Sequence, residues 1–225
     1  NAEKFASVLT PGLNTVVQLG WRLRAIEAKH IDMPRLYREA TEKNAGQARL
    51  ARDGLMLENH VAGLPFPAID PNDPQIALKI MWNYAYNWNP TDDICQMGVD
   101  TYVGSVSAGA PMTTERHLVT EVYRKLFYTA RLYVDPKPEM PNPEKVRFKE
   151  SLHPILEPFD VKGVGATFYR YLDPDKQDDS WVYLPQLRRV RRMSTAQRSD
   201  ALFGQDVDAD AFNGYNGHIA WMNFR

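Results

Sequence analysis

The sequence predicts an α+β protein whose main element is a curved antiparallel sheet. Four segments in the later part of the chain are rich in Val, Thr, Tyr and Phe and are separated by Gly or Pro, which is typical of long antiparallel strands: 94–107, 117–134, 163–172 and 180–192. Earlier segments carry apolar side chains at three- and four-residue spacing, which indicates amphipathic helices. We therefore expect helices to lie against the concave side of the sheet.

The first quarter of the chain predicts a short helix, a strand and a longer helix. The short helix covers residues 2–9 and is expected to end at the Thr-Pro-Gly of 10–12. Apolar and charged side chains largely alternate over residues 21–27, which favours a strand. The longer helix covers residues 34–52, with Pro34 in its first turn and an inner stripe of Leu36, Ala40, Asn44, Ala48 and Ala51.

Shorter elements and two connections follow. Residues 55–59 predict a strand and residues 62–67 a rigid loop, because each proline fixes φ. Asp73 suits an N-cap and Pro74 a first helical position, so a helix should run from there to Trp88. The proline-rich stretch 135–143 reads as a stiff connection, and the polar stretch 173–179 as a hairpin turn. The acidic stretch 206–210 is expected to begin a further helix.

Composition limits the classes of function. The 225 residues suit a single domain over 1–225, and 27 basic against 28 acidic residues give a net charge of −1. Such a balance provides no overall field for nucleic acid, so no nucleic-acid partner is predicted. One cysteine excludes a disulfide framework, and the five histidines lack the spacing of paired ligands on one helix, so we predict no metal and no cofactor.

The ends of the chain suggest a processed or partial protein. No apolar run approaches the length of a membrane-spanning helix, and the first residues do not form a signal peptide. Either the protein is cytosolic or a leader precedes this numbering. The last residues, 217–225, read as the entry to another element, so we expect the chain to be a fragment.

The most distinctive segment is 181–192, where an aromatic strand ends in four arginines: Arg188, Arg189, Arg191 and Arg192. A guanidinium group offers paired donors that suit phosphate or carboxylate, so these side chains could contact an anionic head group or a partner. Alternatively, they project from a solvated strand and pair with nearby carboxylates of Asp173, Asp175, Asp178 and Asp179.

Local motifs of enzymes are missing from the sequence. It has no nucleophile elbow, no phosphate-binding glycine loop and no paired-cysteine redox motif, so we predict no enzymatic activity and no catalytic residues. It is instead rich in aromatic residues, with 11 Tyr, 9 Phe and 5 Trp. A curved sheet with helices against it commonly leaves an apolar cavity. The candidates for lining that cavity are Trp21, Leu23, Phe66, Trp82, Phe168, Tyr169, Trp181 and Tyr183.

Three groups of residues together resemble a known family. The first combines Asn44-Ala45, Gly54, the Gly-Leu-Pro-Phe-Pro of 63–67 and Trp82-Asn83; the second is the strand and arginine run of 181–192; the third is 203–206 with 210–214. They resemble uncharacterised bacterial proteins labelled outer membrane lipoprotein-sorting protein, within the LolA/LolB-like superfamily. Family members are longer, so we expect this chain to be their N-terminal and central part.

The resemblance implies a LolA-like fold, an incomplete (half) β-barrel around helices, located in the periplasm or at the outer-membrane periphery of a Gram-negative bacterium. Its implied function is that of a carrier or chaperone for a lipid or other hydrophobic molecule, serving an RND-type export system. The alternative is a non-enzymatic interaction subunit of an envelope assembly. Because C-terminal strands would be missing, one sheet edge should be exposed.

Overall fold

The computed structural model describes residues 2–5, 7–88, 92–110, 113–194, 199–211 and 214–224. Within these ranges four α-helices lie in the first part of the chain: α1 (Ala2–Phe5), α2 (Pro11–Gln18), α3 (Arg35–Asn44) and α4 (Ile76–Ala85). Two short strands, β1 (Arg49–Ala51) and β2 (Met56–Glu58), pair as a small hairpin between α3 and α4. The remaining strands are β3 (Asp93–Ser105), β4 (Thr113–Phe127), β5 (Val146–Glu157), β6 (Gly165–Tyr171), β7 (Asp179–Leu184) and β8 (Arg189–Arg192).

Strands β3 to β8 form one antiparallel sheet in which spatial order follows chain order. The sheet is open, with β3 at one edge and β8 at the other. This arrangement confirms the predicted α+β class with a large antiparallel sheet. It also fixes which side chains share a face, since directly opposed residues of antiparallel strands point the same way.

One row of opposed residues defines what we call the inner face: Tyr123, Leu152, Ala166, Val182 and Arg191. Tyr123 and Leu152 are 4% and 8% exposed and belong to a core cluster that also contains Leu118, Ile155 and Val164. The main apolar core therefore lies on the inner face, under the middle of the sheet. A second row carries Lys125, Glu150 and Phe168, and a third carries Phe127, Phe148 and Arg170.

Helix α4 packs on a second core cluster beside the sheet. Trp82 is 4% exposed, stacks near Tyr86 and donates its indole N–H to the Gly54 carbonyl oxygen over 2.8 Å. Phe66 packs against this cluster, and its backbone N–H and carbonyl both bond the Asn83 side chain. The loop 62–67 is thereby fixed to α4, and its two prolines restrict its φ angles.

The first quarter of the chain differs from the sequence prediction. Helix α1 has four residues rather than eight, and α2 begins at Pro11, where the sequence predicted a helix end. Helix α2 begins at Pro11 because the Thr10 hydroxyl caps it, accepting a hydrogen bond from the Leu13 N–H over 3.3 Å, and because proline suits a first helical turn. Residues 21–27 form no strand, and Trp21 and Leu23 are 45% and 47% exposed.

The two predicted amphipathic helices are confirmed, with shorter bounds. Helix α3 ends at Asn44 instead of Arg52, and the chain then enters β1. Its buried side chains are Tyr37 and Thr41, so the predicted stripe was wrong by about one residue. Helix α4 ends at Ala85, short of Trp88, while the Asp73 carboxylate caps the preceding turn by accepting from the Gln75 N–H.

The sheet contains one strand that the sequence analysis missed, and one predicted strand is two strands in the structure. Strand β5 is buried on both faces, so its charged residues never produce the apolar and polar alternation that marks a half-buried strand. The predicted strand 180–192 is a hairpin of β7 and β8, which turns at 185–188 with Arg188 at φ +49°. The acidic stretch 206–210 begins no helix within the described residues; Asp208 instead accepts from the Ala211 N–H.

Strand β4 ends at Phe127 rather than at residue 134, because two buried charges anchor the chain after it. The Asp92 carboxylate accepts backbone N–H groups of Leu132, Tyr133 and Val134 at 2.5–2.7 Å. The Arg131 guanidinium, 2% exposed, bonds the Asp93 carboxylate and the carbonyls of residues 127, 134 and 136. These bonds hold the proline-rich connection 135–143, which contains no helix or strand, as predicted.

Candidate ligand-binding site

An apolar hollow lies between the inner face and the chain segment that follows β8. Its volume is about 410 Å³, which is in the range of small-molecule sites. The sheet contributes Leu152, Ala166, Phe168, Val182 and Leu184, and the covering segment contributes Leu202, Phe203 and Trp221. The backbone of Phe203 adopts the left-handed region, with φ at +52°. This conformation is strained for a bulky residue, and such strain is often found at functional positions.

One end of this hollow is built from buried ionic groups. Lys125 and Glu150 are 2.9 Å apart, with side chains 11% and 8% exposed. The Glu150 carboxylate also accepts from the Tyr123 hydroxyl at 2.7 Å and the Asn216 amide at 3.1 Å. Burial alone would raise the pKa of Glu150, but the Lys125 charge and these bonds outweigh it and lower the pKa. Burial lowers the pKa of Lys125, whose ammonium lies 4.0 Å from the Phe148 ring centroid.

A second ion pair lies beside the first. Arg170, 5% exposed, bonds both carboxylate oxygens of Asp178 at 2.6 Å and donates to the Asn216 carbonyl at 2.8 Å. Its guanidinium also lies 5.0 Å from the Trp221 ring centroid. Asn216 thus joins both ion pairs, because its side chain bonds Glu150 and its backbone bonds Arg170.

A polar hollow of about 360 Å³ adjoins the apolar one, under α4. The two hollows share Tyr123, Phe148, Arg170 and Asn216 as lining residues. Arg147 lines the polar hollow, is 9% exposed, donates to the Ala85 carbonyl at 2.6 Å and lies 4.5 Å from the Tyr86 ring centroid. Burial lowers the pKa of Arg147, an effect that the Tyr86 side chain opposes and the positive charge of Arg170 strengthens.

The arginine run of β8 divides between the two faces of the sheet. Arg189 and Arg191 oppose Leu184 and Val182, so they belong to the inner face at the rim of the apolar hollow. Arg192 opposes Trp181 and forms an ion pair with Asp179. Arg188 lies in the turn before β8.

The predicted pairing of this run with the polar turn holds for Arg192 alone among the described residues. The other three carboxylates bond elsewhere: Asp173 and Asp175 pair with Arg52, and Asp178 pairs with Arg170. Arg188, Arg189 and Arg191 therefore present their charges to solvent in this part of the chain.

The structure brings few of the predicted lining residues together. Phe168 lies in the apolar hollow, and Phe66 and Trp82 lie in the cluster beneath α4. Tyr169 and Trp181 make an edge-to-face contact at 5.5 Å on the opposite face, where they line a shallow groove, and Tyr183 is exposed on that face. Trp21 and Leu23 lie outside the sheet.

Sequence reasoning missed four ionic groups at the polar end, Lys125, Arg147, Glu150 and Arg170. It assigned Asp178 to the arginine run, whereas Asp178 pairs with Arg170. A usable signal exists, since charged residues occur inside aromatic strand segments such as Phe168-Tyr169-Arg170-Tyr171. A charge in such a setting is seldom buried unless it is paired. The partners, however, lie on other strands and cannot be read from local spacing.

Metal ligands, membrane-spanning helices and the single cysteine complete the features of the described ranges. In them, no three His, Cys, Asp or Glu side chains cluster so as to hold a metal ion. Across the same ranges, no helix has the length and apolar character needed to cross a membrane. Cys95 is a free, exposed thiol on β3.

The fold and the site define an α+β protein with an open antiparallel sheet and an apolar hollow that ends in buried ion pairs. The chain belongs to the DUF1329 family, described as a protein of unknown function, whose family model matches residues 1–225. No curated protein matches the chain. A crystal structure of a DUF1329 family protein from Desulfovibrio piger is similar, with 18% sequence identity and a TM-score of 0.38. The match covers 59% of this chain and 45% of that chain.

Proposed function

We propose that this protein binds a lipid or another hydrophobic molecule in the apolar hollow of its inner face. The observation that carries the proposal is the hollow itself, about 410 Å³ and lined by Leu152, Phe168 and Val182. Burying apolar ligand surface there is favourable by about 25 cal/mol per Å². The ion pairs at one end would orient such a ligand, since a few placed polar groups provide specificity in apolar sites.

The cellular role that fits this binding is that of a carrier or chaperone in the bacterial envelope. The resemblance to lipoprotein-sorting proteins supports a LolA-like half-barrel, a periplasmic or outer-membrane location and service to an RND-type export system. The binding role requires no catalytic group, in line with the proposal of a non-enzymatic protein. Arg189 and Arg191, at the rim of the hollow, would contact a docking partner.

The direct test is fluorescence titration with the neutral apolar probe N-phenylnaphthylamine. Val182→Trp would fill the hollow, whereas Tyr183→Trp changes the next residue of β7 on the opposite face. We expect saturable binding by the wild type and the Tyr183 variant, and at least tenfold weaker binding by the Val182 variant. Equal binding by both variants would refute the assignment of the hollow.

A second experiment asks which molecule is bound in the cell. Native mass spectrometry of protein from the envelope fraction should reveal a hydrophobic species at about one per chain, which lipid extraction would then identify. A clean apo mass together with a tightly held protein partner would instead favour an interaction subunit.

The exposed edge strand β8 is the specific observation in favour of that alternative. All four of its residues are exposed, and an unpaired edge offers backbone groups for another chain. Reversing the charges of Arg189 and Arg191 to Glu separates the two roles. Loss of a partner with intact probe binding supports docking, whereas a retained partner with weaker displacement of the probe by the anion dodecanoate supports head-group contact.

A further inference from the structure

A bulge in β5 directs Arg147 into the protein. Val146 opposes Tyr171 and Phe148 opposes Arg170, so Arg147 is an extra residue between two paired positions. Bulges re-aim side chains and are frequent beside functional sites. Here the bulge brings the guanidinium of Arg147 to the Ala85 carbonyl at the end of α4 and onto the wall of the polar hollow.

Arg147 lacks the counter-charge that its neighbours have. The three cations of the polar hollow are Lys125, Arg147 and Arg170; the first pairs with Glu150 and the third with Asp178. Within the described residues, no carboxylate forms an ion pair with Arg147; Asp178, which is paired with Arg170, and the Tyr86 side chain favour its charge only in part. Its Nε is also buried without a hydrogen-bond partner. A buried cation of this kind is costly unless something supplies a negative charge.

The polar hollow and the apolar hollow adjoin each other and share lining residues. Phe148 and Arg170 contribute to both, and Arg170 stands between the bulge and the apolar residues Phe168 and Val182. An elongated molecule could therefore place an apolar chain in the larger hollow and a charged end at Arg147. The Arg189 and Arg191 side chains belong to the other border of the apolar hollow, on the edge strand.

We propose that Arg147 is the binding residue for the anionic end group, carboxylate or phosphate, of the hydrophobic ligand. This inference rests on the proposed function and specifies its ligand class as an anionic amphiphile. The guanidinium fork suits both anions, because each can accept two parallel N–H groups. The ligand would supply the charge and the acceptor that Arg147 lacks, and its end group would lie inside the protein rather than at the rim.

The test is displacement of bound N-phenylnaphthylamine from the purified chain by four ligands with the same apolar chain: dodecanoate, dodecyl phosphate, dodecanol and dodecylamine. Because a hydrogen bond to a charged group is stronger than one between neutral groups, at least one of the anions should displace the probe at roughly tenfold lower concentration than dodecanol. Dodecylamine should be weaker than dodecanol. The ranking of dodecanoate against dodecyl phosphate identifies the preferred anion.

Two substitutions locate the end group. Arg147→Gln should abolish the preference for the anion while dodecanol still displaces the probe, and Arg147→Lys should keep the charge but weaken the preference several-fold. Arg191→Gln, at the rim, should retain the full preference. Circular dichroism and the urea midpoint verify that each variant folds; if the Gln variant does not, the Lys variant decides the matter.

Specific results would overturn the inference. Equal displacement by dodecanoate, dodecyl phosphate and dodecanol in the wild type would reject the anion site while leaving the apolar site intact. A preference lost in the Arg191 variant but kept in the Arg147 variants would move the end group to the rim.

If the probe does not bind at all, the proposed function fails, and inorganic phosphate then tests Arg147 alone. In that case phosphate should raise the thermal midpoint of the wild type but not that of Arg147→Gln. An equal effect of phosphate on both proteins, or none on either, would remove the anion site as well.

Discussion

Arg170 and Asp178 form a two-point ion pair across the β6–β7 hairpin, with Nε–Oδ1 and Nη2–Oδ2 distances of 2.6 Å. Arg170 is 5% exposed, so it depends on this carboxylate as its counter-charge. The same pair fixes one wall of both hollows. The stability of the hairpin and the shape of the site are therefore linked.

Asp178→Asn should destabilise the protein by about 3 kcal/mol, because removing one partner of a buried pair leaves the other charge uncompensated. The measurement is the free energy of unfolding from urea denaturation followed by tryptophan fluorescence. Asp175→Asn is the matched control in the same turn, since its partner Arg52 is solvent-exposed, and it should leave the midpoint unchanged. Similar effects of the two changes would contradict a buried role for Asp178.

The partly buried His60 predicts a pH dependence of stability. Its ring lies 4.4 Å from that of Tyr86, and burial lowers the pKa of His60 from 6.5 to about 4. Between these values the unfolded chain binds a proton that the folded protein does not, so stability is full above pH 6.5 and falls as the pH decreases towards 4.

The measurement is urea denaturation of the wild type and of His60→Gln at pH 7.5 and at pH 4. Between these pH values the wild type should lose roughly 3 kcal/mol more free energy of unfolding than the variant. Both proteins share the acid titration of carboxylates, which cancels in the difference. His30→Gln, at an exposed site, should behave like the wild type. A His60 variant with the wild-type pH profile would show that the imidazole is protonated in the folded state.

Gly63 is required by close packing as well as by its backbone angle. A Cβ at this position would lie 2.5 Å from the Thr41 backbone nitrogen and 2.7 Å from its Cα, and φ is +84°. Gly46 has a similar φ of +77° but open space around a Cβ. Gly46→Ala should cost about 1–2 kcal/mol from backbone strain alone. Gly63→Ala should cost about 3 kcal/mol more, since backbone atoms cannot move aside as a side chain can.

Thermal and urea unfolding of these two glycine variants provides the comparison. Equal losses would mean that α3 and the loop 62–67 separate readily.

Arg131 holds the start of the proline-rich connection. Arg131→Lys keeps the charge but loses most of the bonds to Asp93 and to three backbone carbonyls, leaving buried acceptors unsatisfied. We expect a loss of about 3 kcal/mol in the free energy of unfolding. The control is Arg35→Lys in an exposed pair with Glu39, which should show no measurable change. A tolerated Arg131→Lys would show that the connection is held by its prolines instead.

Local sequence patterns were sufficient for several elements. The helices α3 and α4, the small strand β2, the hairpin turn of 173–179 and the proline-rich connection were predicted because each depends on neighbouring residues. The prediction failed for 21–27, where alternation occurs without a sheet to pair with. It also failed for β5, because its two buried faces remove the alternation by which strands are recognised.

The candidate site was less predictable than the fold, because a strand pattern tells which residues share a face but not which face is covered. Tyr169 and Trp181 are as aromatic as Phe168, yet they lie on the opposite face. Burial of the inner face depends on α4 and on residues 199–211 and 214–221, which are distant in sequence from most of the strands they cover.

The sequence by itself determined the α+β class, the strand-rich second half and the arginine run of 188–192, since these follow from composition and local periodicity. Tertiary structure alone decided the ion pairs and the direction of Arg147. Glu150 meets Lys125 through strand register and Asn216 across 66 residues of chain, and Arg147 points inward because one extra residue shifts the pairing of β5 with β6. Register and bulges are properties of paired strands, so no single segment encodes them.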